Sequence, residues 1–191
     1  ALMGLPVKYV WTHDAFRVGE DGPTHQPVEQ EAQIRLMEHL KNHHGENSML
    51  VLRPADAIET NIAWKLALEN KTTPTALILS RQNIKTLPAT GTTRADAAAM
   101  AARGAYTVTD SDGRPDIILV ASGSEVATLV EAASLLMADG IKTRIVSAPS
   151  EGLFRLQDEQ YRNSVITKGI PVFCLTAGLP VTMLGFAGSE G

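Results

Sequence analysis

One cysteine, Cys174, is all the chain contains, which excludes an intrachain disulfide and any cysteine-built metal site. Absent too is any apolar run near the roughly 20 residues that span a bilayer, and the opening Ala-Leu-Met-Gly-Leu-Pro is too short for the apolar segment of a signal peptide. No membrane association is expected, and a reducing cytoplasm fits. Lys and Arg, 17 in all against 21 Asp and Glu, are scattered and form no stripe; with a net charge of -4, nucleic acid is not an expected partner. Aromatics make up only 5%, so Trp64, Phe154 and Tyr161 are expected in the core or at an interface. What is present is an ordinary globular composition, 191 residues at 44% hydrophobic, enough for one large domain or two small ones.

The apolar pattern predicts two α/β units. Residues 7–11, 49–52 and 76–79 are short apolar runs with strand character. Between the second and third, residues 56–70 set Ile58, Ile62, Ala63 and Leu66 at helical spacing, with Asp56 as N-cap and Glu59 completing a capping box. After Asn83 a polar stretch with Pro and Gly has no period and reads as the start of a linker. A second cycle follows. Residues 116–121 read as a strand, Ser122 and Glu125 as a capping box, and Val126, Leu129, Val130, Ala133, Leu136 and Met137 as one helix face ended by Gly140. Further strands are predicted at 143–147 and 172–176. The expected architecture is two three-layer α/β units with mostly parallel sheets, the first incomplete, with the boundary near residue 103. Both ends read as cut from a longer protein.

In such sheets functional loops leave the carboxyl ends of the strands, where His13 and Arg81 fall. The densest polar constellation is residues 13–27, with His13, His25, Asp14, Glu20 and Asp21 among Gly19, Gly22, Pro23 and Pro27. The glycines and prolines suit a tight loop close to a ligand, and the imidazoles and carboxylates could bind hydroxyls or pass protons near neutrality. A solvated loop satisfying its own hydrogen bonds accounts for the same residues. Zinc is disfavoured, because His13 and His25 stand twelve residues apart and no HExxH occurs. His39 and His43 lie at helical i, i+4 spacing, which could hold a metal, but residues 37–48 read better as a solvated helix end. The Ser122-Gly-Ser124 turn could cradle an anion, although capping alone explains it, and Cys174 reads as an inert core thiol.

Residues 19–29, Gly-Glu-Asp-Gly-Pro-Thr-His-Gln-Pro-Val-Glu, resemble the signature of the transketolases. Thr12-His13-Asp14, Arg53-Pro54-Ala55-Asp56, Leu79-Ser80-Arg81-Gln82-Asn83, Ala121 to Val126 and Val146 to Ser150 resemble transketolase segments in the same order. The resemblance implies that residues 1–95 are the later part of the pyrimidine-binding domain, 96–102 a linker, and 103–191 most of the C-terminal domain. It implies a cytoplasmic homodimeric enzyme of the pentose phosphate pathway that moves a two-carbon ketol unit between phosphorylated sugars. The complete enzyme would use thiamine diphosphate and a divalent metal, Mg or Ca. Residue by residue, His13 and Arg81 are similar to the pair that holds the sugar phosphate, Asp21 to the residue that recognises a substrate hydroxyl, and His25 to the catalytic imidazole beside the thiazolium carbon. The family's Gly-Asp-Gly diphosphate and metal motif does not occur in the sequence, and its activating glutamate lies upstream of residue 1. No cofactor or metal is therefore expected on this chain alone; a missing N-terminal region and a second subunit would supply them. Two departures stand out: residues 37–48 are longer and more charged than the family's connector, and Arg17 stands where a small or apolar residue is commoner. Alternatives are another thiamine-diphosphate enzyme, either a deoxyxylulose-phosphate synthase or a dehydrogenase E1 β-type chain, and a non-catalytic docking or regulatory module.

Overall fold

The computed structural model describes residues 3–14, 22 and 27–188. Strands β1 (Lys8–Trp11), β2 (Leu50–Leu52) and β3 (Thr75–Ile78) form a parallel sheet in the order β1-β3-β2. Alternation along these strands sends Val51, Ala76 and Ile78 to one face, under Ile34 of helix α1 (Gln30–His39). Leu52 and Leu77 go to the other, against Ala63 and Ala67 of helix α2 (Ala57–Glu69). Burying leucines of this size contributes up to about 1.5–3 kcal/mol each, so the three layers cohere despite their short strands. Asp56 caps α2 as predicted, its carboxylate accepting from the Glu59 amide at 2.8 Å. Glu59 reaches back one residue further than a capping box requires, to the Ala55 amide at 2.9 Å.

The second sheet has the order β4-β6-β5-β7, from β4 (Tyr106–Thr109), β5 (Ile117–Ala121), β6 (Thr143–Ser147) and β7 (Val172–Leu175). All pairs are parallel except β4 with β6, and β4 is a strand the apolar pattern did not announce. Leu119, Ala121 and Ile145 pack under Val126 and Leu129 of helix α4 (Glu125–Ala138), which follows the short helix α3 (Arg94–Ala99) in the chain. The opposite face, Ile118, Val120 and Val146, meets Phe154 of α5 (Glu151–Arg155), Val165 of α6 (Glu159–Val165) and Phe186 of α7 (Leu184–Ala187). Gly104, at φ +92°, lets the chain enter β4 where a side chain would collide with the Phe154 amide.

Three local expectations fail. Ser122 does not cap α4: the cap position is Ser124, and Ser122 accepts from a buried arginine instead. Met137 is 69% exposed, because the chain end of α4 runs past the sheet it covers. Helix α1 stops at His39, and His43 lies in the following turn with its ring tilted against that of His44, so His39 and His43 never share a helix face.

Candidate functional site

Because β1 and β3 are hydrogen-bonded neighbours with Trp11 beside Ile78, the residues just past them leave at one edge of the sheet. Leu79 donates its amide to the Trp11 carbonyl at 2.7 Å, and Asp14 returns one to the Leu79 carbonyl at 3.2 Å. His13 and Arg81 are both exposed on these two segments, and the Thr12 hydroxyl lies 3.0 Å from the His13 Nδ1. Asp21 and His25, the other two residues singled out in the sequence, lie outside the described residues.

Behind this edge sits an ionic cluster. Asp14 is buried, and its Oδ2 accepts from Arg53 Nη2 at 2.9 Å, Ser80 Oγ at 2.8 Å and Ser124 Oγ at 3.1 Å. Arg53, 1% exposed at the end of β2, also donates through Nη2 to Glu125 at 2.6 Å and through Nη1 to the Ser122 carbonyl at 2.9 Å. Its Nε faces Glu31 at 3.7 Å, beyond hydrogen-bond reach. Burial would lower the guanidinium pKa, but Glu31, Glu125 and Asp14 outweigh it and raise the pKa further. Burial likewise works to raise Glu31, yet Arg35 and Arg53 hold it below the ordinary glutamate value; at Glu125 burial prevails over Arg53 and the carboxyl is pushed up. The backbone joins the halves here as well: the Arg53 amide donates to Pro149 and the Gly123 amide to Arg53.

Asp14, His13, Glu31, Trp11, Ile34 and Ile78 line a cavity of about 100 Å³ beside the cluster. That is below the roughly 300 Å³ at which small-molecule sites begin, so it does not fit a two-ring cofactor. Among the described residues no group of three or more His, Cys, Asp and Glu could hold a metal ion. The described helices include none long and apolar enough to cross a membrane. Cys174 is partly buried in β7, and burial pushes its thiol up to about 11.

Sequence reasoning found the two exposed residues but not their support. Arg53 and Ser80 sat within the family-like runs without a role, and Ser124 and Glu125 were read only as parts of a helix-capping turn. The local signals pointed elsewhere: Arg53 is a cation closing an apolar strand, and Ser124 and Glu125 sit in a turn with cap spacing.

The chain matches the family model for the transketolase pyrimidine-binding domain over residues 1–86, and the model for the transketolase-like C-terminal domain over 104–191. It is 43% identical over 192 residues to "Transketolase 2" of Vibrio parahaemolyticus, covering 100% of this chain and 27% of that protein's length. Among solved structures it is similar to the transketolase of Leishmania mexicana, with a TM-score of 0.81 and 39% identity over 97% of this chain and 26% of the other. A Pichia stipitis transketolase mutant in complex with xylulose-5-phosphate gives a TM-score of 0.79 and 38% identity over 93% of this chain and 24% of the other. Two family models that cover nearly all of the sequence, on a fold of two mostly parallel α/β sheets, show that the chain belongs to the transketolase family.

Proposed function

We propose that this chain is the sugar-phosphate-recognising part of a transketolase, which transfers a two-carbon ketol unit between phosphorylated sugars. Its domains would meet across residues 96–102. His13 and Arg81 bind the phosphate of the sugar: a guanidinium offers a fixed fork of donors to phosphate oxygens, and an imidazole donates at closer range. Asp21 accepts from a substrate hydroxyl and so selects its configuration, while His25 holds or moves a proton at the donor hydroxyls. Thiamine diphosphate, when bound, supplies the carbanion chemistry; because the family's Gly-Asp-Gly motif does not occur in this sequence, we assign that group and its metal to other parts of a homodimeric enzyme acting in the pentose phosphate pathway.

The observation that carries the reading is that His13 and Arg81 follow adjacent parallel strands and leave the sheet at one edge. The xylulose-5-phosphate of the Pichia stipitis complex supports it by analogy. The test is Arg81→Ala in the full-length enzyme, compared on phosphorylated and unphosphorylated forms of one sugar. Loss of one charge-assisted contact is worth about 1.5–3 kcal/mol, expected in KM for the phosphorylated form alone. Equal losses on both forms would sink the phosphate assignment.

A further inference from the structure

The segments that carry His13 and Arg81 are joined to each other by the residues next to them in sequence. Asp14 follows His13, Ser80 precedes Arg81, and the Ser80 hydroxyl donates to the Asp14 Oδ2 at 2.8 Å. Past the strands themselves, the backbone joins these two short segments through the Asp14 amide and the Leu79 carbonyl, at 3.2 Å the long end of the range. A hydrogen bond to a carboxylate is among the stronger kinds, so the side-chain contact adds a further hold on the spacing of the two exposed residues beyond the backbone bonds of Leu79 and Asp14.

How the carboxylate is used points the same way. Three donors crowd onto Oδ2, from the ends of β2 and β3 and the start of α4, while Oδ1 is buried with no hydrogen-bond partner among the described residues. A carboxylate serving stability alone gains by engaging both oxygens. Here one oxygen is placed where four segments meet, and the other has no hydrogen-bond partner among the described residues. Ser124 comes from the second α/β unit, and its hydroxyl also lies within 3.2 Å of Glu125.

We infer that Asp14 and Ser80 are positioning residues for sugar-phosphate binding, holding His13 and Arg81 at a fixed separation, and that the second unit acts on the same pocket through Ser124. The inference rests on the phosphate reading under Proposed function. Two donors grip one phosphate only when their spacing is held to a fraction of an ångström, because a charge-assisted bond is strong over a narrow range of length and angle. Ser80→Ala keeps Asp14 on Arg53, so the ionic cluster survives while the tether to the Arg81 segment is lost. Ser124→Ala removes the contact from the other side.

The experiment is steady-state kinetics of the full-length enzyme with Ser80→Ala, Ser80→Thr, Ser124→Ala and Arg81→Ala, each on the phosphorylated and unphosphorylated form of one ketose. For Ser80→Ala we expect KM for the phosphorylated sugar to rise about five- to tenfold with kcat nearly unchanged, and kcat/KM for the unphosphorylated sugar to move by less than about twofold. Ser80→Thr, which keeps the hydroxyl, is expected to restore most of the loss. Ser124→Ala is expected to show the same split at about two- to threefold. If Arg81→Ala discriminates between the two sugars but Ser80→Ala lowers both equally or neither, the positioning inference is overturned and the phosphate reading stands. If Arg81→Ala fails to discriminate, the phosphate reading itself falls, and with it this inference.

Discussion

Around Arg94, the side-chain polar atoms of Asp56, Glu59 and Tyr106 all have hydrogen-bond partners, and two carboxylate oxygens accept twice. Arg94 donates to Asp56 at 2.8 Å, to the Tyr106 hydroxyl at 2.6 Å and to Glu59 at 3.2 Å. Tyr106 donates to Glu59 at 2.5 Å, and backbone amides of Leu87 and Ala55 reach Asp56 and Glu59. Around Arg53, by contrast, Asp14 Oδ1, Arg53 Nε and Arg35 Nη2 are buried without a hydrogen-bond partner among the described residues. Both networks link the first α/β unit to the second. The difference is one of degree: beside Glu59 the Ser147 hydroxyl alone is left without a partner among the described residues, whereas the network that also places the His13 and Arg81 segments leaves three atoms open.

Three changes test that contrast. Arg53→Met carries the largest expected effect, since it leaves the carboxylates of Asp14, Glu31 and Glu125 in a dry cluster without their shared counter-ion. Removing one partner of a buried ionic group costs about 3–5 kcal/mol, to be read from urea unfolding of the full-length protein. A loss below about 1 kcal/mol would mean that water already screens the cluster, and the contrast would disappear.

Tyr106→Phe comes next. It strips one donor from Glu59 and one acceptor from Arg94, at an expected cost of about 1–3 kcal/mol in the same assay. Discrimination between phosphorylated and unphosphorylated sugar is expected to stay as it was. A change there would show that the Arg94 network also reaches the site.

The smallest effect is a difference in pH dependence. Burial raises the Glu59 carboxyl above the ordinary glutamate value, outweighing the donors from Tyr106, Ala55 and Arg94. The native state therefore binds a proton more tightly than the unfolded chain. Stability from this group is fully present below the unfolded pKa, about 4.3, and is lost as pH rises through the folded value. At Asp56 burial works to raise the carboxyl, but Arg94 and two backbone amides outweigh it and hold it low, so this group runs the other way and loses stability as pH falls. The difference between wild type and Glu59→Gln isolates the first slope. Parallel curves between about pH 4 and 7 would refute the raised carboxyl.

Much of this was legible in the sequence because the responsible signals are local. β1 and β3 are short apolar runs that end in polar residues, so His13 and Arg81 could be placed at strand ends without knowing their neighbours. Asp56 as a cap needs only the residue three positions on. The supporting cluster was illegible because the side chains that bond Asp14 lie 39 to 110 residues from it, and nothing in an arginine or a serine announces what it will face. Ser122 and Glu125 show the failure directly: their spacing is that of a capping box, but Arg53 competes for both side chains and prevails. A helix after Pro27 was legible from that proline, but not which face of α1 turns inward. Its buried positions are Glu31, Arg35 and Glu38, so the face turned inward is ionic and gives no apolar period. β4 has only four residues, and the alternation in Tyr106–Thr109 is too brief to stand out.

Gly123 turns at φ +62° directly over the Arg53 side chain, and a methyl group there would come within 2.7 Å of Nε. The two positions lie 70 residues apart, one in each half, yet they constrain each other as one unit of inheritance. A hybrid protein that joined this first half to a foreign second half would tolerate many exchanged residues along the seam. It would not tolerate a larger side chain at this turn, where the arginine opposite fills the space and the positive φ disfavours any residue but glycine.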